Sequence, residues 1–255
     1  MARVAADASV KALILAGSRG AVDPVAAYAG VAHKALIELG GETLLARVAR
    51  AVRAAGCDEV AVSASDPAVE AEARRLGLTP LPAAAGPSDS VGLGLERLGA
   101  PLLVTTADHA LLEPEWVRGF VAGVRGDVDV AVLLARRERV EAALPGARRT
   151  YLRFADGDWS GCNLFLLRTP EAARAIGLWR LVEADRKRPW RIVRRFGAGM
   201  LARYLLGRLT LARAVERLGE LAEVRAAVVE SAYGLAAVDV DKPADLDAVR
   251  AIVSG

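Results

Sequence analysis

Lysine is rare in this chain, and one lysine follows a segment that suggests ligand binding. Of the 34 basic residues only four are lysines, at positions 11, 34, 187 and 242. Lys34 comes after the stretch from 12 to 33, in which a short apolar run opens into a series of small residues. Because a lysine ammonium is compact and mobile, Lys34 is a candidate for contacting an anionic ligand.

The residues that follow the first apolar run could bind phosphate. Ala16, Gly17, Ser18, Arg19 and Gly20 combine small side chains with one cation. Small residues let backbone N–H groups approach phosphate oxygens. The stretch matches neither the dinucleotide fingerprint G-x-G-x-x-G nor the P-loop G-x-x-x-x-G-K-[ST]. It is therefore compatible with a phosphate-binding loop and also with an ordinary glycine turn.

Three aspartates are candidate ligands for a divalent metal. Asp108 ends the apolar stretch PLLVTTAD, where a strand would deliver its carboxylate to the ligand-binding edge of a sheet. Asp239 and Asp241 alternate before Pro243, so on an extended chain they point to the same side. One or two carboxylates together with substrate phosphates suit Mg²⁺. The alternative role of each aspartate is to cap the helix that follows it.

The elements that would position these residues alternate along the first half of the chain. Such alternation predicts βαβ units and a mostly parallel sheet covered on both faces. Ligands bind such sheets at the carboxyl ends of the strands, which is where the small-residue loop and Asp108 would lie. Apolar runs predict strands at 11–17, 58–65, 78–82, 101–108 and 128–136, and helical spacing predicts helices at 42–56, 67–77, 88–99 and 114–126.

The pattern changes after residue 136. A hairpin is predicted at 149–168 around the turn signal Asp156-Gly157. Residues 171–225 are largely helical in pattern and form a basic insert, 226–231 return to the sheet, and a last helix begins at Pro243. We therefore expect one domain over residues 1–255 that contains the helical insert.

Composition points to a cytoplasmic globular protein. The chain is 53% hydrophobic and 25% charged, with a net charge of +3. Cys57 and Cys162 lie far apart and do not have the spacing of a metal site or a disulfide framework. The N-terminus lacks the layout of a signal peptide, and no run of about 20 apolar residues could span a membrane.

Several segments, taken in order, resemble the MobA-like nucleotidyltransferases. They are LILAGSRG, HKALIELGGETLLARVARAV, GPSDSVGLGLERL, PLLVTTADHALL and VDVDKPADLDAV, and they cover about residues 10–135 and 225–253. The resemblance implies a three-layer α/β/α Rossmann-like nucleotidyltransferase fold that uses Mg²⁺. The acceptor phosphate would attack the α-phosphorus of a nucleoside triphosphate and release pyrophosphate.

The same resemblance implies roles for individual residues. Lys34 would contact the triphosphate and stabilise charge on the α-phosphate, with Arg19 as a further catalytic cation. Asp108 would bind Mg²⁺ together with Asp241 or Asp239. Nucleotide-binding residues would be Leu15, Ala16, Gly17, Ser18 and Ser90, and acceptor-binding residues would be Gly161 and Asn163.

Ser90 stands where the cytidylyltransferase version has a serine that helps to read cytosine, which favours CTP over GTP. The chain departs from the family in having Ser18 in place of a glycine, and in lacking an arginine soon after the second glycine of the loop. Two alternatives stay open: a nucleotide-sugar-dependent glycosyltransferase, suggested by Asp-Val-Asp at 239–241, and a nucleotide-binding regulator without catalysis.

The segment 185–209 is unusually basic. Six basic residues between Arg186 and Arg195 are interleaved with Trp190 and Phe196. Three interpretations remain open: a helix packed on the sheet with solvated arginines, peripheral contact with the inner face of a membrane, and an acceptor pocket or homodimer contact. If the membrane interpretation holds, the product would be an activated head group for lipid or envelope synthesis. Nucleic acid is not expected because the patch is local and no reader motif accompanies it.

Overall fold

The computed structural model describes residues 9–18, 23–146, 149–185, 191, 194 and 197–254. Arg19 and most of the basic run from 186 to 196 lie outside the described residues. Ten strands are present in the described part of the chain: β1 Lys11–Leu15, β2 Glu38–Leu39, β3 Glu42–Thr43, β4 Val60–Ala64, β5 Thr79–Pro82, β6 Leu102–Thr106, β7 Val130–Arg136, β8 Leu152–Phe154, β9 Gly157–Leu167 and β10 Ala226–Glu230.

Eight of these strands form one sheet. Its order is β10-β7-β9-β6-β1-β4-β5, and β8 pairs with the first residues of β9. Strand β9 is antiparallel to both of its neighbours, β6 and β7, whereas all the other neighbouring pairs on the main path are parallel. The mostly parallel sheet and the hairpin at 149–168 are thereby confirmed.

Helices cover both faces of the sheet, as alternation of side chains along buried strands requires. The α-helices described in full are α1 Pro24–Ala29, α2 Leu44–Ala54, α3 Pro67–Arg75, α4 Pro87–Leu98, α5 Pro114–Gly123, α6 Arg137–Ala143, α7 Ala175–Ala184, α8 Ala198–Leu205, α9 Leu211–Ala222 and α10 Pro243–Ser254. On one face α2, α5 and α10 pack over Ile14, Val62 and Leu103. On the other face α4 packs over Leu13 and Val104, and α7 and α9 cover the β9–β7–β10 end of the sheet.

Two local expectations differ from the structure. The stretch before Lys34 is not a continuous loop, because Asp23 caps a short helix, α1, by accepting hydrogen bonds from the backbone N–H groups of Val25 and Ala26. Strand β6 ends at Thr106 rather than at Asp108, so Asp108 belongs to the turn beyond the strand. No helix among the described residues is both long and apolar enough to cross a membrane.

Candidate active site

The site lies at the carboxyl edge of the central strands. Asp108 follows β6 by two residues, and its carbonyl oxygen accepts a hydrogen bond from Val240 N at 3.1 Å. This bond holds the segment that carries Asp239 and Asp241 beside the turn after β6. The fold therefore brings together the turn after β6 and the segment before the last helix, which are more than 130 positions apart in the sequence.

Lys34 lies between two of the aspartates. Its Nζ forms an ion pair with Asp108 Oδ2 and stands 3.7 Å from Asp241 Oδ1. Burial lowers the pKa of the Lys34 ammonium, but attraction to Asp108 and the hydrogen bond that the ammonium donates to that carboxylate outweigh burial, so the pKa is raised overall. Lys34 therefore carries a positive charge at neutral pH.

His33 fixes the turn on which Lys34 stands. Its Nδ1 accepts a hydrogen bond from Ala35 N at 3.1 Å, which caps the 3₁₀ turn Lys34–Leu36. Burial lowers the pKa of the His33 imidazole, which favours the neutral form needed for this acceptor role. The hydrogen bond of His33 is thus with the backbone rather than with the aspartates.

The aspartate cluster carries more negative than positive charge. Asp108, Asp239 and Asp241 face two cations, Lys34 and Arg149. Burial raises the pKa of Asp241, and repulsion from Asp239 and Asp108 raises it further. Burial likewise raises the pKa of Asp239, although Arg149 partly offsets it. A further cation would relieve this repulsion.

The donor chemistry of the cluster fits Mg²⁺. Asp108 Oδ1 is buried and has no hydrogen-bond partner among the described residues, while Oδ2 is taken by Lys34. Within the described part of the chain, no group of three or more His, Cys, Asp or Glu residues is arranged to hold a metal ion. Asp108 and Asp241 could hold the ion only if phosphate oxygens and water completed its shell, which is a usual arrangement for Mg²⁺.

Asp239 has different partners from Asp241. Its carboxylate is bound by Arg149 Nη2, and its Oδ2 accepts a hydrogen bond from Asn163 Nδ2 at 2.8 Å. Arg149 also donates to the carbonyl oxygens of Ala237 and Asp239. Asp239 therefore orders the segment, and Asp241, whose side chain is 60% exposed, is the aspartate that faces the open site.

A bulge in β9 aims Asn163 at Asp239. Three residues of β9, 162–164, lie opposite the single residue Leu133 of β7. Asn163 has a φ of +49°, a left-handed conformation that asparagine tolerates better than most residues. Bulges of this kind often redirect a side chain beside an active site.

The predicted nucleotide-binding residues lie together at the neighbouring strand. Ala16 N donates to Ser63 O at 2.8 Å, so the loop continues the parallel ladder before Gly17 and Ser18 become exposed. The loop after β5 approaches it, because a Cβ added to Gly17 would lie 3.7 Å from Ala83 Cβ. The hydroxyl of Ser90 accepts a hydrogen bond from Ala84 N at 3.0 Å, which ties α4 to the same loop.

Helix α4 receives its N-terminal cap from α7. The helix begins at Pro87 after Gly86, which offers no side chain to cap it. Glu183 Oε2 instead accepts hydrogen bonds from Ser88 N at 3.1 Å and from Ser88 Oγ at 2.8 Å. Neither Glu183 nor Arg149 could be found from sequence spacing, since each reaches its partner across tertiary structure.

A large cavity adjoins the acceptor residues. It has a volume of about 520 Å³ and lies between the β9–β7–β10 part of the sheet and helices α7 and α9. Gly161 and Asn163 form part of its wall, and a Cβ added at Gly161 would meet no atom within 4 Å. Asn163 thus contacts both Asp239 and the cavity, whereas Gly161 belongs to the cavity wall alone.

Two other reactive residue types are held in neutral forms. Burial lowers the pKa of His109 to about 4 and raises the pKa of the Cys162 thiol to about 12. Neither side chain contributes a charge at neutral pH. The charged side chains of the site are therefore those of lysine, arginine and aspartate.

Comparison with known proteins shows the family to which the chain belongs. A sequence profile of the MobA-like NTP transferase domain matches residues 12–165. The chain is 30% identical over 232 residues to a 3-deoxy-manno-octulosonate cytidylyltransferase of Anaeromyxobacter sp. (strain Fw109-5), with 87% of this chain and 90% of that protein covered.

Solved structures share the fold. A hypothetical transferase from Thermus thermophilus superimposes with a TM-score of 0.78 at 31% identity, covering 94% of this chain and 100% of that one. A CTP:phosphocholine cytidylyltransferase from Streptococcus pneumoniae superimposes with a TM-score of 0.57 at 13% identity, covering 96% and 100% respectively. The chain belongs to the MobA-like NTP transferase family and is a nucleotidyltransferase.

Proposed function

We propose that the chain is a Mg²⁺-dependent cytidylyltransferase that transfers CMP from CTP to a phosphorylated small-molecule acceptor. The observation that carries the proposal is the position of Lys34 between Asp108 and Asp241 at the carboxyl edge of the central strands. The relative at 30% identity is named as a cytidylyltransferase, which favours CTP. The phosphocholine enzyme has the same fold and a phosphorylated acceptor in its name.

The nucleotide would bind at the loop after β1. The backbone N–H groups of Gly17 and Ser18 are available to phosphate because both residues are exposed. Ser90 keeps a hydroxyl proton that can be donated to the base, since its oxygen already accepts from Ala84 N. A single hydroxyl beside backbone groups suits a pyrimidine, and the cytosine preference rests on this residue.

The transfer is a displacement at phosphorus. An oxygen of the acceptor phosphate forms a bond to the α-phosphorus of CTP, the bond from that phosphorus to the bridging oxygen breaks, and pyrophosphate leaves with the electron pair. Because the nucleophile is already an anion, no general base is required. When bound by Asp108 and Asp241, Mg²⁺ would neutralise phosphate charge during this step.

The residues of the chain supply orientation and charge. Lys34 is held by Asp108 and can move its ammonium onto the phosphate as charge develops on the transferred group. Arg149 and Asn163 keep Asp239 in place, and Asn163 also faces the acceptor side. Alignment of two bound phosphates is the main contribution required of such a site.

The test is a thermal-shift panel of CTP, GTP, UTP and ATP with and without Mg²⁺, on the wild type and on Asp108→Ala. A ligand at 100 times its dissociation constant stabilises the native state by about 2.7 kcal/mol, which is measurable. We expect CTP with Mg²⁺ to give the largest shift and Asp108→Ala to lose the Mg²⁺-dependent part. Release of pyrophosphate from CTP with phosphorylated acceptors should fall by about 100-fold or more in the variant.

Two outcomes would contradict the proposal. Stabilisation by a nucleotide sugar but by no triphosphate would favour a glycosyltransferase. Equal Mg²⁺ dependence in the wild type and Asp108→Ala would remove the aspartate from the metal site.

Peripheral membrane contact through 185–209 remains part of the proposal. Support comes from Leu205 and Leu206, which are 72% and 66% exposed at the end of α8 beside a basic sequence. The protein should sediment together with anionic vesicles, and the paired change Leu205→Ser and Leu206→Ser should reduce the sedimented fraction.

Size-exclusion chromatography with light scattering would test the expected homodimer.

A further inference from the structure

The proposed transfer of CMP does not by itself require a cavity of the shape found beside Gly161 and Asn163. Its lining includes Val130, Val132 and Leu134 of β7, which span four residue steps and therefore about 13 Å along the strand. The roof is formed by α7 and α9, with Leu178 and Leu218 among the lining residues. The cavity is thus an elongated apolar slot that begins near the carboxyl edge of the sheet.

Three polar side chains of the wall lie at one end of the slot. Asn163 belongs to the β9 bulge and donates to Asp239, so it marks the end nearest the aspartates. Arg153 of β8 lines the same end and forms no ion pair with a described carboxylate. Tyr151 also lines it, and its hydroxyl oxygen is buried without a hydrogen-bond partner among the described residues.

The opposite end of the slot is apolar. Val130 and Ala226 begin β7 and β10, and Ala222 and Val224 close the wall there, while Phe165 lies opposite Val132 midway along the slot. A ligand that fills the slot must therefore have a polar group at one end and hydrocarbon at the other. The volume of about 520 Å³ lies within the range of small-molecule sites.

We propose that the acceptor is a phosphate ester with an elongated hydrocarbon chain, and that the chain occupies this slot while the phosphate lies at the aspartate cluster. This inference rests on the proposed function, because the phosphate end is placed by the transfer reaction. Continuity between the slot and the site is provided by Asn163, which contacts Asp239 and lines the cavity. The product would be a nucleotide-activated amphiphile.

The first test is direct binding, which does not depend on turnover. Isothermal titration would compare ethyl phosphate with decyl phosphate, the latter below its micelle concentration, on the wild-type protein. Burial of each methylene tightens binding by about fourfold, so three buried methylenes already give about 60-fold. A negative heat-capacity change on binding decyl phosphate is expected because apolar surface is buried.

A filled slot should remove this dependence on chain length. Val132→Phe adds an aromatic ring on the cavity face of β7, where a strand accommodates it well. Leu181→Phe is the matched control, since Leu181 is on α7, is 41% exposed and does not line the slot. Val132→Phe should weaken the binding of decyl phosphate by at least about tenfold and leave the affinity for ethyl phosphate unchanged. Thermal unfolding of both variants shows whether they are folded.

The outcomes separate the slot from the reaction. Equal affinity for ethyl and decyl phosphate would overturn the inference, even if ethyl phosphate is turned over with CTP. Equal affinity for decyl phosphate and decyltrimethylammonium would also overturn it, because the slot would then bind any chain without regard to the phosphate. Chain-dependent binding with no release of pyrophosphate from CTP would support the slot and contradict the proposed function.

Discussion

Two regions on the same face of the sheet are packed in opposite ways. Over β1, helix α4 lies so close that a Cβ added to Gly94 would stand 2.5 Å from Leu13 Cδ2. Over β7 and β9, helices α7 and α9 leave a cavity of about 520 Å³. The first region carries the expected nucleotide loop and the second adjoins the expected acceptor residues.

The difference in packing fits the tasks that we propose for the two regions. A region that is proposed to hold the nucleotide benefits from a rigid support, and close packing provides it. A region that must accept a second molecule needs space, and that space can be kept only if the helices are held by contacts at its ends. Glu183 of α7 on Ser88 of α4 is one such contact.

Truncating one leucine in each region is the strongest test of this comparison. Leu13 is fully buried, so Leu13→Ala should lower the free energy of unfolding by about 4 kcal/mol through lost burial and a new cavity. Leu178 is only half-buried and lines the existing cavity, so Leu178→Ala should cost about 1 kcal/mol. Urea unfolding measures both, and equal losses would contradict the contrast.

The edge of the cavity region should depend on a polar contact instead. Arg149→Met leaves the largely buried Asp239 carboxylate without its guanidinium partner. This should lower the free energy of unfolding by about 3 kcal/mol. Arg125→Met is the control: Arg125 pairs with Asp127 at 2.8 Å, but its side chain is 78% exposed, so no measurable change is expected. If the two variants unfold alike, the Arg149 contact is not structural.

A pair of glycine substitutions should change stability in opposite directions. Gly94→Ala pushes a methyl group into the fully buried Leu13, and we expect a net loss of about 1 kcal/mol after the gain in helix propensity. In Gly177→Ala the added methyl group on α7 has no atom within 4 Å, so the free energy of unfolding should rise by up to about 1 kcal/mol. The loss at Gly94 should vanish in a Leu13→Ala background, because the two positions are coupled.

A pair of substitutions at Asn163 separates the contribution of the backbone from that of the side chain in the β9 bulge. Asn163→Gly removes the amide that binds Asp239 but accepts the left-handed backbone, whereas Asn163→Ala removes the amide and adds strain. Asn163→Ala should therefore be less stable than Asn163→Gly by about 1 kcal/mol. Equal stability would mean that the bulge relaxes when the amide is lost.

Much of the fold could be predicted from the chain because its elements are strongly periodic. The strands at 58–65 and 128–136 and the helix starting at Pro243 were found to within two residues. The short helix α1 was missed, since its six residues carry too little pattern to distinguish it from a loop. The insertion of antiparallel β9 between β6 and β7 could not be predicted, because strand pairing depends on contacts distant in sequence.

The residues of the candidate site also fall into two groups, those that the sequence could name and those that it could not. Lys34, Asp108 and Asp241 could be named from residue type and position relative to strands, and the structure brings them together. Arg149 and Glu183 could not be named, because each acts on a partner 90 or more positions away and leaves no local signal. Their roles in catalysis and binding stay predictions for the experiments above.

By itself the sequence determined which residues could do chemistry and at which edge of a sheet they would lie, because strand and helix periodicity fix the direction of each element. Tertiary structure alone decided that Asp239 binds Arg149 and Asn163 while Asp241 faces the site. It also decided that helices α7 and α9 of the insert cover an elongated apolar slot over the β9–β7–β10 part of the sheet. The physical reason is that periodicity records which face of an element is apolar, whereas the distance between two such faces depends on every side chain packed between them.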